Sequence, residues 1–490
     1  MTNASMKLPG EVVNILKALQ DAGFEAFVVG GCVRDLLLEK EPRDWDITTS
    51  ANPEEIQKIF PDHVYENEFG TVAVKTRSEN PSLAIVEVTP YRIEGKYSDK
   101  RHPDAVRFAD KLEDDLSRRD FTVNALALSE IEGATTIIDL YGGREDLKNK
   151  LIRTVGEPEK RFAEDALRLS RAVRFASTLG FKIEDETKSA IKKNAAWLKA
   201  ISKERTRDEF VKIIESDNAY EGLLALEELS LLEHIVPELR EGIGVTQNLH
   251  HIYTVWEHNA LALRYAASKG YSLEVRLASL FHDIGKPRTK RGEGRYSTFY
   301  GHEVVGARMV AKIMDWLKFP RDISKKVVSL VRYHMFYYNV GEVTESSVRR
   351  LMVNVGPENM DDLLKMREAD RIGSGRPKAV PYKLRHLKYV IDKVSHDPIS
   401  VKMLKVNGKD VMRELDIPGG PKVGLILNTL LAEVLDEPSR NTREHLTDRI
   451  HELKNLTADD LKRALDKIEK AQEEEEKKRA GKYYVEARQE

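Results

Sequence analysis

Residues 27–46 read FVVGGCVRDLLLEKEPRDWD, and their pattern is the most informative about the fold of the N-terminal part of the chain. Its apolar start, FVV, predicts a short buried strand, and the two glycines that follow predict a tight turn into a helix over Cys32–Glu39. Glycine lets the backbone come close to a phosphate, and a helix N-terminus with a nearby guanidinium supplies donors. The pattern predicts a phosphate-binding turn at Gly30, Gly31 and Arg34, although such a turn alone is more often ordinary turn chemistry.

The end of the same stretch, Asp44-Trp45-Asp46, carries two carboxylates two residues apart. Alternate side chains of a strand point to one face, so we expect the two carboxylates to converge and Trp45 to face away. Glu87, which alternates with two valines in a further predicted strand, is the candidate third acid. Carboxylates beside a triphosphate suit Mg²⁺, which activates a ribose hydroxyl and neutralises a leaving pyrophosphate. We predict catalytic roles for Asp44, Asp46 and Glu87, with Mg²⁺ at Asp44 and Asp46; a solvated strand edge is the alternative.

Four segments in a fixed order carry a resemblance to a known family. They are VVGGCVRDLLL followed by DWDIT, then SRRDFTVNALAL (117–128), DLYGGREDLKNKLIRTVG (139–156) and EDALRLSRAVRFASTLGF (164–181). Over about residues 20–230 the chain resembles the polymerase-β-like nucleotidyltransferases of the bacterial CCA-adding and poly(A) polymerase class. The resemblance implies a small mixed α/β head that transfers nucleotides to an RNA 3′ end.

The second of these segments is implied by the resemblance to contact the triphosphate and ribose of the nucleotide. Arg119, Asp120 and Asn124 are the residues that this assigns to nucleotide binding. We hypothesise that Asp120 accepts the ribose hydroxyl and thereby favours ribonucleotides.

The fourth segment contains a polar row in which Asp165, Arg168, Arg171 and Arg174 recur every three residues. Such spacing predicts one drifting polar face of a single helix over Ala163–Leu179. A carboxylate beside a guanidinium offers an acceptor next to donors, which matches the amino group and ring nitrogen of cytosine and adenine. Guanine and uracil present the reverse pattern. The row is therefore predicted to select C and A, unless it is an ordinary ion-paired helix surface.

Residues 92–107, RIEGKYSDKRHPDAVR, are polar and charged, as expected of a mobile loop. The segment resembles the one that CCA-adding enzymes use to switch from C to A, and enzymes that add only CC tend to have a shortened version. Poly(A) polymerase relatives usually carry a basic signature after the metal aspartates, where this chain has TSANPEEIQKIF. These two signals favour addition of C, C and A from CTP and ATP over poly(A) synthesis or partial CC-only or A-only addition.

A second set of residues, anchored on LASLFHDIGKPR (277–288), has the order and spacing of the HD phosphohydrolase superfamily over about residues 245–375. Imidazole and carboxylate ligands bind a divalent transition metal that polarises phosphate and activates water. The resemblance implies phosphohydrolase action on 2′,3′-cyclic or 2′-phosphates, with a metal of unknown identity. The implied ligands are His258, His282, Asp283 and Asp370, with His302 and His334 available for a second ion or for the substrate phosphate.

The composition of the 490 residues is 41% hydrophobic and 33% charged, with a formal net charge of −2 and a single cysteine, Cys32. Together with the lack of a long apolar run in the sequence, this favours a cytoplasmic protein that neither enters a membrane nor coats nucleic acid by bulk charge. The expected partners are the tRNA 3′ end, CTP and ATP, and no obligate protein partner is evident. A different reading is an RNA-end phosphohydrolase whose head only binds RNA.

The predicted fold class is α+β, because strand patterns are concentrated in the first 150 residues and helical patterns dominate the remainder. The predicted domains are a nucleotidyltransferase head over 1–150, a helical neck and body with base-selecting and RNA-binding segments over 151–240, an HD domain over 241–375, and a helical C-terminal region with a charged tail over 376–490.

Overall fold

The computed structural model describes residues 7–66, 70–94, 106–131, 134–248, 252–336, 338–341, 343–468 and 470–471. The chain divides into two compact units, Met1–Arg240 with Ile313–Phe319 and Glu241–Lys312 with Pro320–Glu490. The first unit holds the strands and the second is helical. A mixed α/β head followed by a large helical body is therefore confirmed, whereas the finer division into four domains stays a prediction.

The strands of the described residues are short, and seven of them form one sheet in the order β3-β4-β5-β2-β1-β8-β9. Within that sheet β2 and β5 run parallel, and the other neighbours are antiparallel. The bounds are β1 Ala26–Val29, β2 Asp46–Thr49, β3 His63–Glu66, β4 Thr71–Lys75, β5 Ile85–Pro90, β6 Arg92–Glu94, β7 Val106–Phe108, β8 Leu126–Ile131, β9 Ala134–Asp139, β10 Leu151–Ile152 and β11 Lys182–Ile183.

Helices flank the sheet in the first part of the chain and then make up nearly all regular structure. Their bounds are α1 Gly10–Asp21, α2 Gly31–Leu37, α3 Pro53–Ile59, α4 Leu112–Ser117, α5 Gly143–Asn149, α6 Pro158–Glu164, α7 Leu167–Leu179, α8 Asp185–Asn194, α9 Lys203–Glu215, α10 Ala219–Glu228, α11 Leu232–Ile235, α12 Pro237–Arg240, α13 Val255–Ser268, α14 Leu273–Phe281, α15 Lys286–Thr289, α16 His302–Trp316, α17 Arg321–Tyr333, α18 Glu345–Val355, α19 Met360–Gly373, α20 Tyr382–Val394, α21 Gly408–Leu415, α22 Pro421–Asp436 and α23 Arg443–Glu452. Among the described residues, no helix combines the length and apolar character that spanning a membrane requires.

The centre of the sheet is apolar. Packing of this centre fixes the positions of the polar residues on β2 and β5. Val28 of β1 and Ile47 of β2 are fully buried and lie opposite each other. Burial of one face specifies the register, because a one-residue slip would turn every side chain to the other face. In this register Asp46, the first residue of β2, lies beside Glu87 of the parallel strand β5.

The helices of the second unit approach each other closely where small residues meet. Ala262 and Ala266 of α13 pack with Ala369 of α19, and all three are buried. A Cβ on Gly373 would lie 2.9 Å from the carbonyl oxygen of His258, so glycine is required at this crossing. The close contact brings His258 of α13 toward the C-terminal half of α19, where Asp370 lies.

Two local predictions are corrected. Asp44 lies ahead of β2 rather than in it, because the strand begins at Asp46.

The predicted helix Ala163–Leu179 is interrupted: α6 ends at Glu164 and Asp165 is extended, with φ −137° and ψ 109°. The carboxylate of Asp165 accepts the backbone N–H of Leu167 at 2.9 Å, which competes with a continuous helix.

Parts of two predicted segments fall outside the described residues. Of the predicted loop 92–107, the structure describes the two ends, where Arg92–Glu94 and Val106–Phe108 pair as antiparallel strands. Residues 472–490 of the predicted charged tail are likewise outside the described residues.

Candidate functional site

A cleft of about 530 Å³ opens in the first unit and gathers every residue predicted to bind the nucleotide or the head metal. Nine basic and five acidic side chains line it, and this excess of positive charge complements a nucleoside triphosphate. The predicted residues in its wall are Gly30, Gly31, Arg34, Asp44, Asp46, Glu87, Arg119, Asp120, Asn124, Asp165, Arg168, Arg171 and Arg174. Their individual roles remain predictions.

The turn between β1 and α2 is shaped by Gly30. Its φ of +82° and ψ of −133° lie in a region that favours glycine. A Cβ at this position would lie 2.8 Å from Nη1 of Arg119 and 3.5 Å from Oδ2 of Asp46. The missing side chain therefore lets a guanidinium and a carboxylate approach the backbone at the start of a helix, as a phosphate site requires.

Three carboxylates meet beside this turn. Asp46 and Glu87 are adjacent in register, and Asp44 lies two residues before Asp46 in the wall of the same cleft. Burial raises the pKa of Asp46 to about 6, opposed by the guanidinium of Arg119 and reinforced by the charges of Glu87 and Asp44. A carboxylate that is costly to ionise gains from a divalent cation, so this oxygen set fits Mg²⁺.

Asp120 organises the donors around the cleft. Its Oδ1 accepts the backbone N–H of Phe121 at 2.8 Å and Nδ2 of Asn124 at 3.1 Å. Its Oδ2 accepts Nε and Nη2 of Arg171 at 2.9 and 2.7 Å. Burial alone would raise the pKa of Asp120, but the guanidinia of Arg171 and Arg168 outweigh it and hold that pKa well below its usual range. Asp120 thus fixes Asn124 and Arg171, while direct contact with a ribose stays a hypothesis.

A hydrogen-bond chain continues from Asp120 to the glycine turn. Oδ1 of Asn124 accepts Nη1 of Arg34 at 2.7 Å, and Nε of Arg34 donates to Asp35 at 2.8 Å. The chain joins α2, the segment after α4, and α7, which hold the residues of three of the four sequence motifs. These contacts hold the guanidinium groups at fixed positions in the cleft, which limits the reorganisation needed when a charged ligand arrives.

The predicted base-selecting pair has partners that the sequence did not suggest. Oδ2 of Asp165 accepts Nη2 of Arg205 at 2.8 Å. Arg168 is buried and donates to the carboxylate of Glu164 and to the carbonyls of Arg161 and Arg118, at 3.0 and 2.9 Å for the two carbonyls. Asp165 therefore lies between α6 and α7 and pairs with Arg205. The prediction had placed Asp165 and Arg168 on one helix.

Sequence reasoning missed several residues that position this wall. Glu209 of α9 is 3% exposed and accepts Nε of Arg174 at 2.7 Å. The guanidinium carbon of Arg174 lies 3.7 Å from the ring centroid of Phe175. One sequence signal could have indicated these residues: Arg205 and Glu209 lie four residues apart, so their side chains share one face of a helix. The amphipathic pattern of α9 predicted a helix, but it did not predict that these two residues pair with residues of the cleft wall.

The second unit contains a cluster of four histidines and two aspartates. Nε2 of His258 lies 3.1 Å from Oδ2 of Asp283, 3.3 Å from Oδ1 of Asp370 and 2.8 Å from Nε2 of His282. Nε2 of His302 lies 3.2 Å from Oδ1 of Asp283. All six residues are buried, with exposed fractions of 0% to 9%. The structure therefore brings together His258, His282, Asp283, His302, His334 and Asp370.

Backbone contacts orient three of these imidazoles in the same way. Nδ1 of His282, His302 and His334 each lies 2.8 Å from the carbonyl oxygen of the residue three positions earlier. A carbonyl only accepts, so Nδ1 carries a proton in each of the three rings, and Nε2 is the nitrogen that faces the centre of the cluster. A metal bound through Nε2 leaves the proton on Nδ1, so this arrangement suits three imidazole ligands.

Asp283 divides the cluster into two overlapping ligand sets. One set is His258, His282 and Asp283, and the other is Asp283, His302 and His334. Oδ2 of Asp283 faces the first set, and Oδ1 faces the second. Imidazole and carboxylate donors at such short separations fit one or two divalent transition-metal ions, with Asp283 between them.

The charges of this cluster are strongly coupled. Burial lowers the pKa of His282, but the carboxylates of Asp283 and Asp370 outweigh it and raise that pKa to about 10. Burial lowers the pKa of His334 to about 4, with further lowering by His302 and His282. Nζ of Lys286 lies 2.5 Å from Oδ2 of Asp283 and donates to Gln247 at 2.7 Å. Lys286 thus holds the shared carboxylate in its ionised form.

Three family models match the chain. Residues 26–153 match the poly(A) polymerase head domain, residues 180–243 match the probable RNA and SrmB-binding site of polymerase A, and residues 249–372 match the HD domain. The first match contains the glycine turn and the three carboxylates, and the third contains the six-residue cluster.

Curated relatives include CCA-adding enzymes and an A-adding tRNA nucleotidyltransferase. The CCA-adding enzyme of Ligilactobacillus salivarius is 47% identical over 447 residues, which is 90% of this chain and 95% of the relative. The CCA-adding enzyme of Lactobacillus helveticus is 51% identical over 211 residues, so the match spans about half of it, 51%, and 42% of this chain. The A-adding tRNA nucleotidyltransferase of Deinococcus radiodurans is 38% identical over 67% of this chain and 76% of the relative.

Solved structures share the fold over most of the chain. The Bacillus stearothermophilus CCA-adding enzyme in complex with CTP has a TM-score of 0.65 and 29% identity, covering 90% of this chain and 96% of that one. The Thermotoga maritima CCA-adding enzyme complexed with tRNA is 20% identical, with a TM-score of 0.52 over 91% of this chain and 96% of that one, and shows the fold alone.

Proposed function

Since the chain belongs to the family of CCA-adding enzymes, we propose that it adds C, C and A to the 3′ end of tRNA from CTP and ATP without a template. The observation that carries the proposal is the register of β2 and β5, which puts Asp46 beside Glu87 next to the Gly30 turn. Carboxylates at this position could hold Mg²⁺, which would stabilise the negative charge on the attacking oxygen, and the cations of the surrounding wall suit the leaving pyrophosphate.

Each part of the cleft then has a task in the proposed reaction. Asp44 and Asp46 would hold Mg²⁺, which when bound lowers the charge on the triphosphate and favours ionisation of the tRNA hydroxyl. Glu87 adds negative charge beside them. Arg34 and Arg119, fixed by Asn124 and Asp115, face the phosphates. The result is nucleotidyl transfer by positioning and charge rather than by covalent catalysis.

Base choice is proposed to come from the part of the cleft wall that holds Asp165 and Arg168. Asp165 offers an acceptor for the amino group of cytosine or adenine, and Arg168 offers a donor for the ring nitrogen. Arg205 holds Asp165, and the contacts of Arg168 to two carbonyls hold the guanidinium. Guanine or uracil would leave buried polar groups unpaired, a penalty of about 1–3 kcal/mol for each.

The nearest alternative is partial addition. The relationship to an A-adding tRNA nucleotidyltransferase supports an enzyme that adds only the terminal A, and the CTP complex of a CCA-adding enzyme supports addition of C as well. The 90% coverage of this chain by a CCA-adding relative favours the complete reaction. Poly(A) synthesis remains the third alternative.

The test is incorporation by the purified protein on tRNA transcripts that end before the first C, after CC, and after CCA. Each receives Mg²⁺ with CTP, ATP or both, and the 3′ ends are sequenced. We expect CCA on the shortest tRNA, A on the second and no addition to the third. Long adenosine tails, CC alone or A alone would replace the proposal with the corresponding alternative.

For the second unit we propose a metal-dependent phosphohydrolase that acts on RNA ends carrying a 2′,3′-cyclic or 2′-phosphate. The carrying observation is that four imidazoles and two carboxylates converge, three of the imidazoles with Nδ1 anchored. A bound transition metal would polarise the phosphate and activate water. Lys286 and Arg367 keep Asp283 and Asp370 ionised and ready to bind it.

The hydrolysis test uses the same protein with Mn²⁺, Co²⁺ or Ni²⁺ and an RNA ending in a 2′,3′-cyclic phosphate. Opening of the cyclic phosphate that depends on the added metal is the expected result. No hydrolysis with any of the ions would remove the second proposal and leave the first untouched. Because the proposed substrates are tRNA and other RNA ends, we propose a cytoplasmic location.

A further inference from the structure

Helix α20 presents an exposed row of aromatic side chains. Tyr382, His386 and Tyr389 are four and three residues apart, so they share one face of the helix. Tyr382 and Tyr389 are 62% and 64% exposed. The opposite face is buried through Leu384, Leu387 and other apolar residues. The aromatic face is therefore not part of the core.

The rings of this face are arranged at regular intervals. The centroid of His386 lies 6.1 Å from that of Tyr382 and 6.1 Å from that of Tyr389. Tyr338 adds a fourth ring, 6.0 Å from His386, and its hydroxyl hydrogen-bonds Nδ1 of that histidine. We name Tyr338, Tyr382, His386 and Tyr389 the aromatic row.

The segment that carries most of the aromatic row is rich in positive charge. Residues 376–393 contain six lysines and arginines and one aspartate, in a chain whose net charge is −2. Lys388 and Lys393 pair with acids of other helices, whereas Arg376, Lys378 and Arg385 are exposed. Aromatic rings among cations are typical of surfaces that stack unpaired bases and follow a nucleic-acid backbone.

The aromatic row and the histidine–aspartate cluster lie in the same unit, and Tyr338 of the row is close to the cluster in sequence. Helix α17 ends at Tyr333, directly before the cluster residue His334, and Tyr338 follows four residues later. Arg367 binds the carboxylate of Asp370, and its guanidinium carbon lies 5.6 Å from the ring centroid of Phe336. Phe336, two residues before Tyr338 in the chain, thus contacts the arginine that binds Asp370.

We propose that the aromatic row binds the unpaired 3′ nucleotides of an RNA whose terminal phosphate is hydrolysed at the histidine–aspartate cluster. The inference rests on the proposed phosphohydrolase function and names its substrate class as single-stranded RNA ends. Stacking tolerates any base, because every base has a π-face, so recognition would depend on strand state and not on sequence.

The experiment compares two double variants of the full-length protein, Tyr382→Ala with Tyr389→Ala and Tyr382→Phe with Tyr389→Phe. The phenylalanine pair is the matched control because it keeps both rings. Binding of a fluorescein-labelled ten-nucleotide single strand and of a blunt RNA hairpin is followed by anisotropy. We expect the alanine pair to bind the single strand at least about ten-fold more weakly, the phenylalanine pair to bind it normally, and hairpin binding to stay unchanged.

Hydrolysis gives the second readout. For RNA with a 2′,3′-cyclic phosphate the alanine pair should raise KM and leave kcat unchanged, and for bis(4-nitrophenyl) phosphate it should change neither. Single-strand binding that survives the alanine pair, or hairpin binding that falls equally, would overturn the proposal. If the unaltered protein hydrolyses neither substrate, the phosphohydrolase function fails, and the binding comparison still decides whether the aromatic row holds single strands.

Discussion

The two candidate sites use different ligand chemistry in different surroundings. The head site has three carboxylates beside an open, arginine-lined cleft, and two of them, Asp44 and Glu87, are exposed. The histidine–aspartate cluster mixes imidazoles with carboxylates and is buried. Oxygen ligands in an open cleft suit Mg²⁺ that keeps its waters and arrives with a nucleotide. Buried nitrogen and oxygen ligands suit a transition metal that stays bound.

We therefore infer that the two proposed metal sites are supported by separate parts of the chain. In the head, the carboxylates depend on strand register and on the space at Gly30. In the cluster, the ligands depend on helix crossings and on carbonyls that anchor three imidazoles. A change in one site should therefore leave the other working.

The largest expected effect comes from removing one carboxylate from each site. Asp46→Ala should reduce CCA addition by at least about 1,000-fold, because several kcal/mol of charge stabilisation is lost, while hydrolysis stays normal. Asp283→Ala should do the opposite. Both activities are measured on each variant, and thermal unfolding confirms that it is folded. A parallel loss of both activities in either variant would show that the two sites do not function independently.

A smaller effect is expected at the glycine turn. Gly30→Ala should reduce kcat/KM for CTP and ATP on the order of 100-fold, because the new Cβ would lie 2.8 Å from Arg119 at a φ of +82°. Gly31→Ala is the matched control, since its Cβ would meet only Arg34, at 3.6 Å. Steady-state kinetics of both variants check this. Equal losses would mean that general backbone flexibility, rather than the space at Gly30, matters.

The corresponding support in the second unit is Lys286. Lys286→Met keeps the apolar length of the side chain but removes the charge that contacts Asp283 and Gln247. Metal affinity should fall by roughly 10–100-fold, as is typical when a partner of a ligand is lost. Titration of hydrolysis with Mn²⁺ measures it. CCA addition should be unaffected, and an unchanged metal dependence would show that Lys286 has no part in binding.

The smallest expected effect concerns base choice. Asp165→Ala should relax the preference for C and A over G and U by about ten-fold, the equivalent of one unpaired polar contact. Arg205→Ala should act in the same direction but less, because it releases Asp165 without removing it. Single-nucleotide incorporation with the four NTPs reports both. A uniform loss with all four would assign Asp165 to positioning in general.

The sequence predicted the head well where short-range patterns sufficed. The apolar run before Gly30 forms β1, and the stretch after Glu11 forms α1, as predicted. Glu87 was found because a buried strand alternates in sequence, and the parallel pairing with Asp46 confirms that the two lie side by side. The nucleotide-binding residues of the second motif, by contrast, were assigned from the family resemblance.

What the sequence could not predict depends on contacts between distant segments. The break at Asp165 arises from its side chain capping Leu167 and from a guanidinium forty residues later, Arg205. The aromatic row depends on Tyr338 meeting His386 across 48 residues. Helical periodicity predicts the existence of such helices but says nothing about which faces meet.

The most direct test of two separate metal chemistries is reconstitution of one stripped sample. The protein is treated with a chelator until both activities are lost, and each ion is then added back alone. Mg²⁺ should restore CCA addition at once and leave hydrolysis absent, whereas Mn²⁺, Co²⁺ or Ni²⁺ should be needed for hydrolysis. Restoration of both activities by Mg²⁺ alone would contradict the claim that the two sites need different metal ions.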